Sequence, residues 1–224
     1  MVCCCFMCFS DAPLTDDEKD TAKDNKLRSA MANQTGSNTF EVSLKEAGNV
    51  QPSCCCWTSV VWCGIPACKT RRAYLESFEG GLKSYTCCQG MLGHDCCIPK
   101  CEGSQAGLWC EGCCCPVLSL SITRLAIMRR RRLTPDPVDW QLIRCSNCLQ
   151  MISCCCYATA CILSLTVGGE TADIARCAAW STDCVADCFT ASVGGCMTVQ
   201  ILKEIEKHES EKTGAPPKKS VMER

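Results

Sequence analysis

Thiols are the groups in this chain with the most chemistry to offer, since 28 of its 224 residues are cysteine. Two Cys-x-x-Cys pairs stand out, Cys110 with Cys113 and Cys145 with Cys148. Such a pair presents two thiolates on one side, and two pairs can close a tetrahedral zinc site. The competing reading is that these cysteines serve as small apolar residues, because the cysteine background is high and the second pair sits at the mouth of an apolar stretch. Near the start, Cys3, Cys4, Cys5 and Cys8 are interleaved with Phe6, Met7 and Phe9. This patch suits thioester-linked lipid, with the aromatics holding the thiols at a membrane interface. It also contains a Cys-x-x-Cys, or it folds back onto the core unmodified. His94, beside Asp95, Cys96 and Cys97, is either a further zinc ligand or an incidental loop residue.

Other chemistry is thinly represented. The chain has two histidines, His94 and His208, no glycine-rich phosphate loop ending in Gly-Lys, and no βαβ context around either Cys-x-x-Cys. An enzyme is therefore not expected. A net charge of −1 leaves no electrostatic footprint for nucleic acid. A secreted disulfide scaffold fits poorly, because neighbouring side chains in the triplets Cys3–Cys5, Cys54–Cys56, Cys113–Cys115 and Cys154–Cys156 point apart. The N-terminus lacks the positive segment of a secretory signal and turns acidic at once. A reducing compartment is expected.

The elements that must position these thiols are helical. Residues 1–53 read as a polar, largely disordered extension carrying the cysteine patch, residues 54–208 as a cysteine-rich helical domain, and residues 209–224 as a disordered tail. Cys54 to Cys68 is uncharged but too short to span, so it is interfacial, re-entrant or packed in protein. Pro116 to Arg132 predicts a helix ending in Arg129, Arg130, Arg131 and Arg132. Beside a membrane that cluster would bind anionic headgroups and mark the cytoplasmic face. Cys145 to Gly169 runs 25 residues without a charge, long enough to cross a bilayer. Ile174 to Leu202 is a second long segment in which Asp183 and Asp187 face a partner, a cavity or a divalent ion, or else mark a partly solvated amphipathic helix. Gly194-Gly195 is expected to weaken or kink it. The expected fold is mostly α, a small antiparallel membrane-associated bundle with cysteine-rich loops and helices near 116–132, 139–167 and 171–208.

Cys-Cys-Cys-Pro leading into a helix that ends in arginine, then Arg-Cys-Ser-Asn-Cys-Leu-Gln, an apolar cysteine-rich helix, Asp-Cys-Val-Ala-Asp-Cys and Gly-Cys-Met-Thr-Val-Gln resembles the cysteine-rich membrane proteins related to the placenta-specific-eight family. The likeness covers roughly residues 85–207. Cys113 to Pro116 correspond to that family's cysteine-proline block, and Cys145, Cys148, Cys184, Asp187 and Cys196 fall where similar proteins place theirs. The Pro-Asp-Pro-Val-Asp-Trp turn and the acidic N-terminal extension depart from it. The resemblance implies a membrane protein without catalytic activity, whose relatives are linked to cell-number control and divalent-metal handling. Two functions are thus expected as alternatives. One is a membrane-anchored interaction or scaffold component with a protein partner or a second copy of itself. The other is a zinc-binding or divalent-metal-handling membrane protein using the paired Cys-x-x-Cys cysteines.

Overall fold

The computed structural model describes residues 37–60, 64–90 and 101–214. Within them the chain is mostly α, with seven α-helices: α1 (Leu44–Val50), α2 (Pro52–Val60), α3 (Ile65–Tyr74), α4 (Gln105–Cys114), α5 (Pro116–Arg131), α6 (Pro137–Thr166) and α7 (Gly169–Thr213). Two short strands, β1 (Asn38–Thr39) and β2 (Leu133–Thr134), pair in parallel.

Local chemistry sets the helix boundaries. Pro116 and Pro137 sit at the first helical turn, where a missing N–H costs nothing. Asp136 caps α6 by accepting from the Val138 N–H at 2.8 Å. The break at Cys115 bends α4 against α5 by 113°. Helix α7 runs unbroken through Gly194 and Gly195, where a weakening was expected. Both glycines are buried in the packed part of the helix, and that packing overrides their low intrinsic propensity.

Residues 38–50, part of the stretch read from sequence as a polar extension, pack onto the core through one apolar side. Ser43 and Glu46 form a capping box that starts α1, and Val42, Leu44 and Ala47 are buried. The largest apolar cluster joins Tyr74, Leu75, Ile122, Leu125, Ile127, Met128 and Ile201, so α3, α5 and the C-terminal half of α7 form one helical head. The Phe78 ring stacks on His208 at 4.1 Å and closes the far end. At the centre lies a buried polar knot. Arg124 donates to Gln200 Oε1 at 2.7 Å and to Asp139 Oδ2 at 3.1 Å, while Gln200 donates to Asp139 Oδ2 at 2.8 Å. The Leu44 N–H donates to Asp139 Oδ1 at 2.9 Å, tying the N-terminal segment to α5, α6 and α7.

Helices α3 and α4 approach through glycine. Gly64 precedes α3 with φ +84°, and a side chain there would collide with the Gly112 carbonyl. A Cβ on Gly112 would overlap the Cys68 sulfur. Gly112→Ala is expected to force the two helices apart at a cost of about 1–3 kcal/mol. A lowered thermal midpoint should report it, whereas Gly48→Ala, with open space around its Cβ, should leave the midpoint unchanged or raise it.

Candidate functional site

The buried positions of α6 beyond its first turn are Ile143, Ser146, Gln150, Ser153 and Ala160, a spacing of three, four and seven. On α7 the buried residues Ala172, Ala179, Ala186, Val193 and Gln200 recur every seven. A repeat averaging 3.5 residues winds two helices around one seam. Across that seam the Ser146 and Thr190 hydroxyls bond at 2.8 Å, and Gln150 donates to Asp187 at 3.0 Å and to Thr190 at 3.1 Å. Ser153 donates to Asp183 Oδ1 at 2.6 Å, and Tyr157 donates to Asp183 Oδ2 at 3.3 Å. The partners run in opposite order along the chain, so α6 and α7 form an antiparallel hairpin.

Its polarity is inverted relative to a coiled coil in water. The seam is small and polar, while Met151, Ile152, Ile162, Leu165, Val167, Ile174, Trp180 and Val185 point outward, Leu165 being 88% exposed. Outward hydroxyls are satisfied within their own helix: Thr159, Thr166, Ser181 and Thr182 donate to the carbonyls of Cys155, Ile162, Cys177 and Ala178. Small seam residues permit close helix contact without a hydrophobic drive, and internally bonded polar groups are what a hydrocarbon environment demands. Both helices are long and apolar enough to cross a membrane. From Leu149 to Val167 the hairpin extends about 30 Å at ~1.5 Å per residue, the thickness of a bilayer core. The bent α4–α5 pair also passes on length and composition, but α5 carries the buried Arg124 and lies inside the head.

Where the hairpin leaves the head, Val117 packs with Leu44, Ile143, Val193 and Met197, which puts the α4–α5 corner at the hairpin base. Helix α2 lies alongside α7, with the Cys55 and Cys196 sulfurs 3.4 Å apart. This end of the head exposes Trp57, Trp109, Cys110, Cys113 and Cys114. The arginine cluster lies at the other end. Arg131 pairs with Glu204 at 3.2 Å and with Glu211 at 2.8 Å, and Arg130 donates to the Phe78 carbonyl at 2.7 Å. Arg129 and Arg132 are exposed beside them. Helix α5 carries these arginines about 18 Å from Val117 at ~1.5 Å per residue. Of the four arginines expected to meet headgroups, Arg131 is engaged with carboxylates, while Arg129 and Arg132 remain exposed at the end of the head away from the hairpin base.

Of the thiols singled out for zinc, Cys110 and Cys113 lie on α4 and Cys145 and Cys148 on α6, all exposed, and no three of their sulfurs come within 4.8 Å of one another. Helical backbone replaces the turns that would have closed the site. Among the described residues, ligand atoms do gather at Cys87, Cys88 and Glu111, within 4.8 Å of one another. Glu111 Oε2 accepts from the Tyr85 hydroxyl and the Cys88 N–H, each at 2.9 Å, while its buried Oε1 has no hydrogen-bond partner and lies 4.0 Å from Arg71 Nε. Cys88 and Gln89 hold positive φ to make the turn that aims this N–H. Burial and the neighbouring Glu111 push the Tyr85 phenol well above its ordinary range, so it remains a donor. Two thiols and a carboxylate form a donor set that suits a zinc-like ion.

No protein-family model, curated protein or solved structure matches this chain. Cys3, Cys4, Cys5, Cys8 and the His94 group lie outside the described residues. Glu111 was missed in the sequence because nothing local links it to Cys87 and Cys88. The seam left one legible trace, alanine every seventh residue from Ala172 to Ala186.

Proposed function

We propose that this protein is a membrane-anchored, non-catalytic interaction or scaffold component. Its α6–α7 hairpin sits in the bilayer, α6 from about Leu149 to Val167 and α7 from about Cys177 to Phe189, with the turn that carries Glu170, Asp173 and Arg176 at the far surface and the helical head at the near one. The inverted polarity of the hairpin carries this reading, since an apolar outside around a small polar seam is costly in water and favourable in lipid. The resemblance to cysteine-rich membrane proteins supports it. The head lies on the cytoplasmic side with the arginine end turned away from the bilayer, which suits the reducing compartment that the adjacent cysteine triplets favour. A protein partner or a second copy of the chain docks on the head or along the hairpin.

Thiol accessibility tests the reading. Cys155, Cys161 and Cys177 are exposed on the hairpin surface. In membranes bearing the full chain, a charged, membrane-impermeant maleimide should leave these three unmodified until detergent is added, while head thiols such as Cys101 react, as read by peptide mass spectrometry. Equal labelling of Cys161 and Cys101 before detergent would place the hairpin in water and end the proposal.

A second reading, metal binding in the head, is favoured by the Glu111 carboxylate gathered with two thiols, its Oε1 making no hydrogen bond and lying 4.0 Å from Arg71. Zinc retained by the same purified protein and lost in Cys87→Ser with Cys88→Ser, but kept in Cys110→Ser with Cys113→Ser, would support it. A folded, metal-free protein would dismiss it.

A further inference from the structure

We propose that Cys110 and Cys114 are S-acylation sites that take long-chain fatty acyl groups from acyl-coenzyme A. The proposal rests on the membrane reading above and adds a second, covalent attachment of the head. Helix α4 divides by face. Gly107, Leu108, Glu111 and Gly112 are buried against the head, and Ala106, Trp109, Cys110, Cys113 and Cys114 are exposed. The exposed side carries no charge near its C-terminal end, where the chain turns through 113° into α5 and Val117 enters the hairpin base. An uncharged face of tryptophan and thiols at that level lies where the head meets the lipid surface.

The three thiols are not equivalent. Cys113 sits on the side of α4 nearest α3, its Cα packed directly against Gly64 at the start of that helix. Cys110 and Cys114 are one helical turn apart with sulfurs 3.9 Å from each other, and they face away from the head. Neither belongs to the gathered ligand set or to a disulfide. Both acyl chains would thus enter the bilayer side by side, beside Trp109. In the transfer, catalysed by a membrane acyltransferase, each cysteine sulfur attacks the thioester carbonyl carbon of acyl-coenzyme A. An S-acyl bond forms, the bond to coenzyme A breaks, and the free thiol of coenzyme A leaves with the cysteine proton. One short apolar helix face binds weakly, and a lipid chain on a protein already anchored supplies the second signal that makes attachment durable. Because a thioester can be hydrolysed, the head's seating on the membrane becomes adjustable while the hairpin stays inserted.

The test uses the full chain made in eukaryotic cells, with Cys3, Cys4, Cys5 and Cys8 all changed to serine so that the N-terminal patch contributes nothing. Free thiols are blocked, thioesters are cleaved with hydroxylamine, and the released thiols are tagged with a polyethylene-glycol maleimide that shifts the band once per site. Two hydroxylamine-dependent steps are expected. They should vanish in Cys110→Ser with Cys114→Ser and persist in Cys113→Ser, with all variants resisting alkaline carbonate extraction. No steps in the background chain, or steps undiminished in Cys110→Ser with Cys114→Ser, would overturn the acylation sites while leaving the membrane reading intact. Release of the background chain by carbonate would instead overturn the membrane reading.

Discussion

Asp139→Ala should unfold the head more readily than any surface change, by about 3–5 kcal/mol. The carboxylate is completely buried and serves three donors at once, namely Arg124, the Gln200 amide and the Leu44 N–H. Burial drags the Arg124 guanidinium down to about 10 even with the Asp139 charge opposing that pull. Removing Asp139 leaves a buried cation uncompensated and strips the partner from the α1 backbone, so the N-terminal segment is expected to detach with it. For a chain of this size the thermal midpoint in detergent should fall by about 10 °C, measured by circular dichroism. Arg124→Met combined with Asp139→Leu should recover much of the loss, because replacing both charges removes the desolvation cost together with the attraction. A midpoint unmoved by Asp139→Ala would mean that the knot is solvated and that the head is not held as described.

Ile162→Lys is expected to cost membrane insertion about 2.5–3.5 kcal/mol, roughly a hundredfold in the partition between membrane and released protein. Ile162 is 60% exposed on the outer face of α6, near the middle of the uncharged run. Alkaline carbonate extraction of cell membranes should release a large share of the variant and little of the wild type. The same substitution on a water-facing coiled coil would fall within about 0.5 kcal/mol and would improve solubility. The sign of the effect therefore decides which solvent surrounds the hairpin. Lys45→Ile, a change on the exposed surface of α1, serves as the control and should leave extraction unchanged.

What could be read from sequence depended on whether the signal was local. Prolines at helix starts, the arginine-ended helix from Pro116 and the uncharged run after Arg144 are consecutive features, so α5, α6 and most of α7 were legible. The capping box of Ser43 and Glu46 was equally local, but the polar residues around it masked a helix whose apolar side is only Leu44 and Ala47. The arginines illustrate the opposite case. Four in a row read as a headgroup site, and nothing in that run showed that Arg131 pairs with Glu204 and Glu211, more than seventy positions away. Cys-x-x-Cys spacing did not show which ligand atoms gather for a related reason, because spacing limits which ligands are neighbours along the chain and tertiary packing chooses which meet.

Length, charge and hydropathy are additive along the chain, so a helical, thiol-rich protein with two segments long enough to span a bilayer was legible from residue order. Which side of those segments is polar emerged only from their packing. Ser146, Gln150 and Ser153 look like dilutions of an apolar run until they meet Thr190, Asp187 and Asp183 across the seam. The physical reason is that a polar group's cost depends on the partner it finds, and here each partner is some thirty to forty-four residues away on the returning helix.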